Sequence, residues 1–476
     1  MSGAALDKFP MRRRRAAAAL AALGTAALSG CMPALRPAPE LARVAAPASW
    51  REPLAGTAKV DPQWWRSFGD PQLTKVVEAA LARNSDVLIA VARVDEARAL
   101  AEAAEAARVP ALNLAVGVQA GRSLDVTGAS TSRALQPTLQ ASWEPDIFGR
   151  IREQIRAAGL QYRATQAERD AAALAVAAGA AQNYIALLAL DAQLFITRET
   201  VASRAEALRL ALDQARVGYI SQLQLTQAQS EYQSVLQAVP ELELAVRRQE
   251  NAVRLLAGEL PGPVARQRLQ GQGFRDLQLP PVPDALPSQL LARRPDIAQR
   301  ELLLAAADTA LALRRQAFLP QINLSAQLGS VLVSALDYDP VRIWSVGGSV
   351  LAPLFSGGRL TAQYEASASQ RDQAAFAYRR AVLAAFSEVE NALAGVPRLQ
   401  DQVGHAMQRR AILERSLGYA RDRYEAGYAS YLEQLDAQRN LYQVELSLVT
   451  LRRTQIENLI ALYRALGGGW SAQALP

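Results

Sequence analysis

The chain has 476 residues, half of them hydrophobic but only 6% aromatic, with 52 Lys and Arg against 45 Asp and Glu. The net charge of +7 gathers at the start; without residues 1–30 there remain 47 basic and 44 acidic residues, interspersed, which argues against a nucleic-acid-binding stripe. With one Cys and one His no Cys/His metal site can be assembled, His405 lies in a charged helical stretch, and no phosphate-cradling glycine loop ending in Lys-Ser/Thr occurs, so an enzyme has little to be built from.

The N-terminus reads as an address. Arg12 to Arg15 form a charged region, and Ala16 to Leu28 an apolar run too short to cross a bilayer as a retained helix. Leu28-Ser29-Gly30-Cys31 follows, and it resembles the bacterial lipobox at all four positions. That resemblance implies cleavage before Cys31 and acyl chains on its thiol and new amino group, the one prosthetic group expected. Met32 in place of Asp implies release to the outer membrane. Residues 32–62 hold six prolines and are expected to be an extended linker.

Beyond the linker, two segments alternate with period two. Leu112, Leu114, Val116 and Val118 alternate with Asn113, Ala115, Gly117 and Gln119; Leu135, Leu139, Ala141 and Trp143 alternate with Gln136, Thr138, Gln140 and Ser142. Gly149 to Val217 then contains no proline and predicts a single helix extending roughly 100 Å at about 1.5 Å per residue. Gly218 provides the backbone freedom for a helical hairpin and a returning helix. A Pro-rich connector, residues 261–287, joins this half to the next.

The second half repeats the first. Arg216-Val217-Gly218-Tyr219-Ile220-Ser221 answers, 209 residues on, to Glu425-Ala426-Gly427-Tyr428-Ala429-Ser430, and Gln227-Ala228-Gln229 to Asp436-Ala437-Gln438. Arg83-Asn84-Ser85-Asp86-Val87 pairs with Arg293-Arg294-Pro295-Asp296-Ile297, and Pro110 to Leu114 with Pro320 to Leu324. Two further alternating segments, Ile322 to Gly329 and Trp344 to Ala352, precede a second long helix from Gly358 to about Ala426, in which Gly395-Val396-Pro397 predicts a kink or break. Such a period is too long for a solenoid and means that a structural half was duplicated about an axis.

Apolar and small polar residues in alternation over about ten positions are the pattern of a membrane β-barrel strand with a watery interior, and a one-sided β-sandwich shares it. In hydrocarbon an open sheet edge leaves backbone groups unpaired, and four strands cannot close. Two chains would give eight strands with a filled interior, three would give twelve with an aqueous lumen.

At this point the chain resembles the TolC-like outer membrane factors, in particular the NodT-type outer membrane efflux lipoproteins. The resemblance covers Trp64 to Leu466. It is carried by Trp64-Trp65-Arg66-Ser67-Phe68-Gly69-Asp70-Pro71, the Pro145-Asp146-Ile147-Phe148-Gly149-Arg150 corner, Arg293-Arg294-Pro295-Asp296-Ile297, Pro353-Leu354-Phe355-Ser356-Gly357-Gly358 and the two Gly-Tyr-x-Ser segments. It implies an α+β membrane protein: a homotrimeric 12-stranded β-barrel, four strands per chain, continued by a long periplasmic α-helical barrel. Residues 1–30 are then a lipoprotein signal peptide, 31–62 a lipid-anchored linker, 63–260 the first outer-membrane-efflux repeat, 261–287 the connector and 288–469 the second repeat. The implied function is the outer membrane channel of a tripartite efflux pump. The implied partners are outer membrane lipid, a periplasmic adaptor (membrane fusion) protein and an inner-membrane transporter of the resistance-nodulation-division type, with no nucleic acid.

The resemblance also makes the two glycine segments the periplasmic tips, where the pore closes at rest and the adaptor docks: Arg216, Val217, Gly218, Tyr219, Ile220 and Ser221, with Glu425, Ala426, Gly427, Tyr428, Ala429 and Ser430. Related channels often carry aspartates near these tips, where this chain has Gln224 and Ala429. The expectation is a less acidic constriction closed by Tyr219 and Tyr428 with ion pairs from Arg421, Asp422, Arg423 and Glu425. Two alternatives stay open at this level, the outer membrane component of type I protein secretion and a lipid-anchored trimeric scaffold.

Overall fold

The computed structural model describes residues 33–34, 36–52, 60–125, 128–265, 274, 277–283, 286–333 and 340–470. The signal peptide and Cys31 lie outside the described residues, as do parts of the linker and of the connector. The helices are α1 (Pro71–Arg83), α2 (Ser85–Glu105), α3 (Arg150–Arg216), α4 (Gln222–Leu256), α5 (Pro287–Arg293), α6 (Pro295–Gln316), α7 (Arg359–Glu425) and α8 (Tyr431–Ala465). The strands are β1 (Ala111–Asp125), β2 (Gly128–Trp143), β3 (Gln321–Val333) and β4 (Val341–Leu351).

The duplication holds most closely in the long helices. α3 and α7 each have 67 residues, α4 and α8 each have 35, and all four boundaries recur at the 209-residue offset. The two compact units of the chain nevertheless mix the repeats. One takes in the chain up to Arg43, Asp95–Ala164 and Arg300–Tyr378; the other takes in Val44–Val94, Thr165–Gln299 and Arg379–Pro476.

The first unit contains the sheet. Its four strands are all antiparallel in the order β1-β2-β3-β4, so the central β2–β3 pair joins the two repeats. The register sets Leu114 against Leu139, Leu139 against Leu328 and Leu328 against Trp344, so one face is apolar from edge to edge. The opposite face aligns Asn113, Gln140, Gln327 and Ser345. Apolar residues of every strand are exposed within the chain, including Leu114 (71%), Leu139 (41%), Leu328 (60%) and Trp344 (76%). A water-soluble protein rarely leaves so continuous an apolar face uncovered.

In the same unit, the segment following residue 33 is tied to α7. Tyr364 donates its hydroxyl to the Ala34 carbonyl at 2.7 Å, and the buried Arg371 guanidinium donates to the carbonyls of Arg36 (3.1 Å) and Pro37 (2.9 Å).

The second unit is built around α3 and α8. Ala177, Ala178, Ala180 and Ala181 of α3 share a core with Trp64, Trp65, Phe68, Leu73, Ile456, Ile460 and Tyr463. Alanine lets the α3 backbone approach closely, and the aromatic side chains fill what it leaves; Trp64 stacks on Tyr463 with ring centroids 5.7 Å apart. An apolar stretch of α3 is long enough to cross a membrane by length and composition, but it is mostly buried within the protein. At the start of α1, Asp70 accepts from the amides of Gln72 and Leu73 ahead of Pro71, an N-cap with proline at the first helical position.

Of the kink or break expected at Pro397, the break does not occur: α7 is helical through it, as α4 is through Pro240. Proline removes one donor, that for the Leu393 carbonyl. The carbonyls on either side gain side-chain donors, Ala392 from Asn458 at 2.8 Å and Ala394 from Arg398 at 2.9 Å. One missing bond in so long a helix does not outweigh the packing of its flanking turns.

Candidate gate at the two helical tips

Both tips lie in the second unit and are built alike. α3 ends at Arg216 and Gly218 takes φ 74°; α7 ends at Glu425 and Gly427 takes φ 77°. At the first tip Gly218 N–H donates to Ala215 O and Tyr219 N–H to Gln214 O. At the second, Gly427 N–H donates to Tyr424 O and Tyr428 N–H to Arg423 O. This paired closure is the Schellman motif, and its left-handed position is what selects glycine.

The returning helices start differently. Ser221 and Gln224 form a reciprocal capping box, with Gln224 Oε1 accepting from Ser221 N–H (3.0 Å) and Ser221 Oγ accepting from Gln224 N–H (3.3 Å). Ser430 makes no side-chain cap, and Glu433, which occupies the place of Gln224, faces Arg423 at 3.5 Å instead. Gln224 is thus a cap that stabilises the first tip.

Tyr219 (75%) and Tyr428 (81%) are exposed within the chain, as is Val217 (78%). Of the four charged residues expected to form ion pairs here, Arg421 pairs with Glu425 at 2.8 Å on its own helix, and Arg423 pairs with Glu433 across the turn. Asp422 forms no ion pair among the described residues.

Beneath the tips the two hairpins meet in a polar cluster that sequence reading missed. Arg204 of α3 and Glu231 of α4 are almost fully buried, at 4% and 8% side-chain exposure and 3.5 Å apart. Glu231 also accepts from Arg439 of α8 at 2.7 Å, and Arg204 donates to Gln438. Tyr424 donates its hydroxyl to Gln214 at 3.2 Å, and its ring lies 5.8 Å from that of Tyr431. Ala211, Ala228, Tyr431 and Leu435 close an apolar cluster around this network. Burial pushes the Arg204 guanidinium down from its ordinary value against the pull of Glu231, and burial pushes the Tyr431 phenol up. Comparison of the repeats carries a signal for this cluster, since Arg204 and Glu231 correspond to Leu413 and Asn440 and the charges occur in one copy only.

Among the described residues no group of His, Cys, Asp and Glu could hold a metal ion. A sheet with one exposed apolar face, paired helical hairpins of equal length and pseudo-equivalent tips fit a membrane channel protein rather than a catalyst. The model of the family "Outer membrane efflux protein" matches residues 76–259 and 286–468. The pyoverdine export outer membrane protein OpmQ of Pseudomonas aeruginosa is 33% identical over 447 residues, 92% of this chain and 94% of the relative. The cation efflux system protein CusC of Escherichia coli is 32% identical over 411 residues, 85% and 88% of the two chains. The solved outer-membrane channel OprN superposes with a TM-score of 0.82 at 25% identity, covering 92% of this chain and 99% of its own. The chain belongs to the outer membrane efflux protein family. It is an outer membrane channel component of an efflux pump, and not an enzyme.

Proposed function

We propose that three copies of this chain close their sheets into one twelve-stranded β-barrel, continued by a periplasmic tube of helices, which conducts small molecules passively from the periplasm to the exterior. The observation that carries this reading is the sheet: β1 and β4 are edges without a partner among the described residues, while one face is apolar from edge to edge. Such edges are tolerated in hydrocarbon only if another chain pairs with them. Twelve strands leave a lumen, lined here by Asn113, Gln136, Gln140, Ser142, Gln327 and Ser345, polar but uncharged and suited to letting unlike solutes pass.

On this reading Cys31 carries acyl chains that hold the chain to the outer membrane, with more than one chain needed for stable anchoring. Arg216 to Ser221 and Glu425 to Ser430 form the periplasmic constriction and the docking surface for the adaptor. Contact with the adaptor favours an open arrangement of the tip helices over a closed one, a population shift. The inner-membrane transporter, of the resistance-nodulation-division type, provides the energy and selects the cargo. In support, relatives of about equal identity are named for pyoverdine export and for cation efflux, two chemically unlike cargoes.

The test is accumulation of a hydrophobic fluorescent dye in a deletion strain, together with the conductance of purified protein in a planar bilayer. Raised accumulation, reversed by the restored gene, and discrete channels in the bilayer are expected. A purified protein that inserts without conducting would overturn the channel reading.

A further inference from the structure

The sheet carries a feature that conduction does not use. On its apolar face, three of the four strands carry an arginine toward the loop-side end. Arg122 of β1, Arg133 of β2 and Arg342 of β4 all fall on the alternation that presents Leu114, Leu139 and Trp344, and all three are exposed. They stand eleven, ten and nine residues from the helix-side ends of their strands, Ala111, Trp143 and Leu351. A strand of about ten residues tilted by about 45° spans the hydrocarbon, whose apolar band on a barrel is about 25 Å tall. The arginines therefore stand near the far edge of that band. No strand residue in the register of this face is acidic. Trp344 lies two positions from Arg342, and Trp143 closes the opposite end of the band, where interfacial tryptophans are expected.

We propose that Arg122, Arg133 and Arg342 form a lipid-facing basic girdle that binds the phosphate groups of anionic lipids in the outer leaflet. The inference rests on the barrel reading above, which puts the loop-side ends of the strands outside. Guanidinium groups suit phosphate because they present paired donors in a plane, and their long stems can run along the apolar band while the head reaches the headgroup. Cationic side chains at the midplane would be costly, whereas at the interface they are tolerated and can bind. Three such groups on one chain give charge complementarity to a lipid with two phosphomonoesters.

The experiment is native mass spectrometry of the purified full chain in detergent, titrated with diphosphoryl lipid A and, separately, with phosphatidylethanolamine. The expected result is lipid A binding that weakens at least about tenfold in the R122Q/R133Q/R342Q triple variant, the scale of lost charge-assisted hydrogen bonds, and is largely kept in the corresponding triple Lys variant. Phosphatidylethanolamine binding should be weaker and unchanged by the substitutions, and excess inorganic phosphate should not displace lipid A. Equal affinity of wild type and the Gln variant for lipid A, or equal affinity of the wild type for both lipids, would overturn the proposal. Displacement by inorganic phosphate would also overturn it, since the site would then hold a free anion. Bilayer conductance of the same preparations separates the two levels: channels without lipid A preference sink the girdle alone, and loss of channels in every preparation sinks the barrel reading.

Discussion

Gln249 of α4 donates its side-chain amide to the main-chain carbonyl of Asn183 in α3, at 2.9 Å. At the same place in the second repeat, Asn458 of α8 donates to the Ala392 carbonyl of α7 at 2.8 Å. Both pairs are 66 residues apart, and the donors and the acceptors are each offset by 209. One amide staples each returning helix to its long partner, Gln in the first repeat and Asn in the second, where Pro397 stands five residues beyond the acceptor.

The second staple predicts a reversal of helix propensity. Gly395→Ala should stabilise a helix interior on propensity alone. Here a Cβ at Gly395 would press on the Asn458 amide, which is already engaged with Ala392. Gly395→Ala and Asn458→Ala are each expected to lower stability by about 1 kcal/mol, the net worth of one such hydrogen bond. Together they should cost less than their sum, read from thermal unfolding of the detergent-purified protein.

At the tips the penalty is of another kind. Nothing lies within 4 Å of a Cβ placed at Gly218 or Gly427, so Gly218→Ala meets no steric neighbour. The cost, about 1 kcal/mol, comes from the left-handed backbone alone. Hydrogen exchange should show faster opening confined to the last turn of α3 and the first turn of α4, with the sheet unaffected; protection lost throughout the chain would contradict this.

Glu231 is expected to be the most sensitive position beneath the tips. Removing its charge leaves the buried Arg204 facing Arg439 without a carboxylate between them. Glu231→Ala should destabilise the tip by about 3 kcal/mol or more, the scale for breaking a buried ion pair on one side. Replacing Arg204 and Glu231 together by Leu and Asn, the residues of the other repeat, should recover most of the loss in a double-mutant cycle.

The two faces of the sheet should respond oppositely to one charge. Leu139 lies on the apolar face in mid-strand, and Gln140, its neighbour, on the polar face. Leu139→Arg puts a cation against hydrocarbon at a cost of about 2–4 kcal/mol and should reduce the outer membrane yield of assembled protein. Gln140→Arg should assemble normally and alter the ion selectivity of the conductance.

Much of this architecture is present in the residues themselves. The alternation of Leu112 to Val118 with small polar residues, the proline-free run after Gly149, and the glycines at 218 and 427 are local signals. Each acts through the backbone of its own segment, so strands, long helices and turns could be read in order and recur at a fixed offset. The tip residues were legible for the same reason, because a left-handed helix end selects glycine wherever it occurs. What depended on tertiary structure was which distant residues meet. The pairing of β2 with β3 joins Leu139 to Leu328 across the two repeats and makes one apolar face out of four separate alternations. Pro397 was locally a helix breaker, and the packing of α8, through Asn458, kept α7 intact. Of the cluster of Arg204, Glu231 and Arg439 the sequence carries only the difference between the repeats at two positions: its members are spread over three helices, and burial, which gives their charges weight, is a property of the packed hairpins and not of any segment alone.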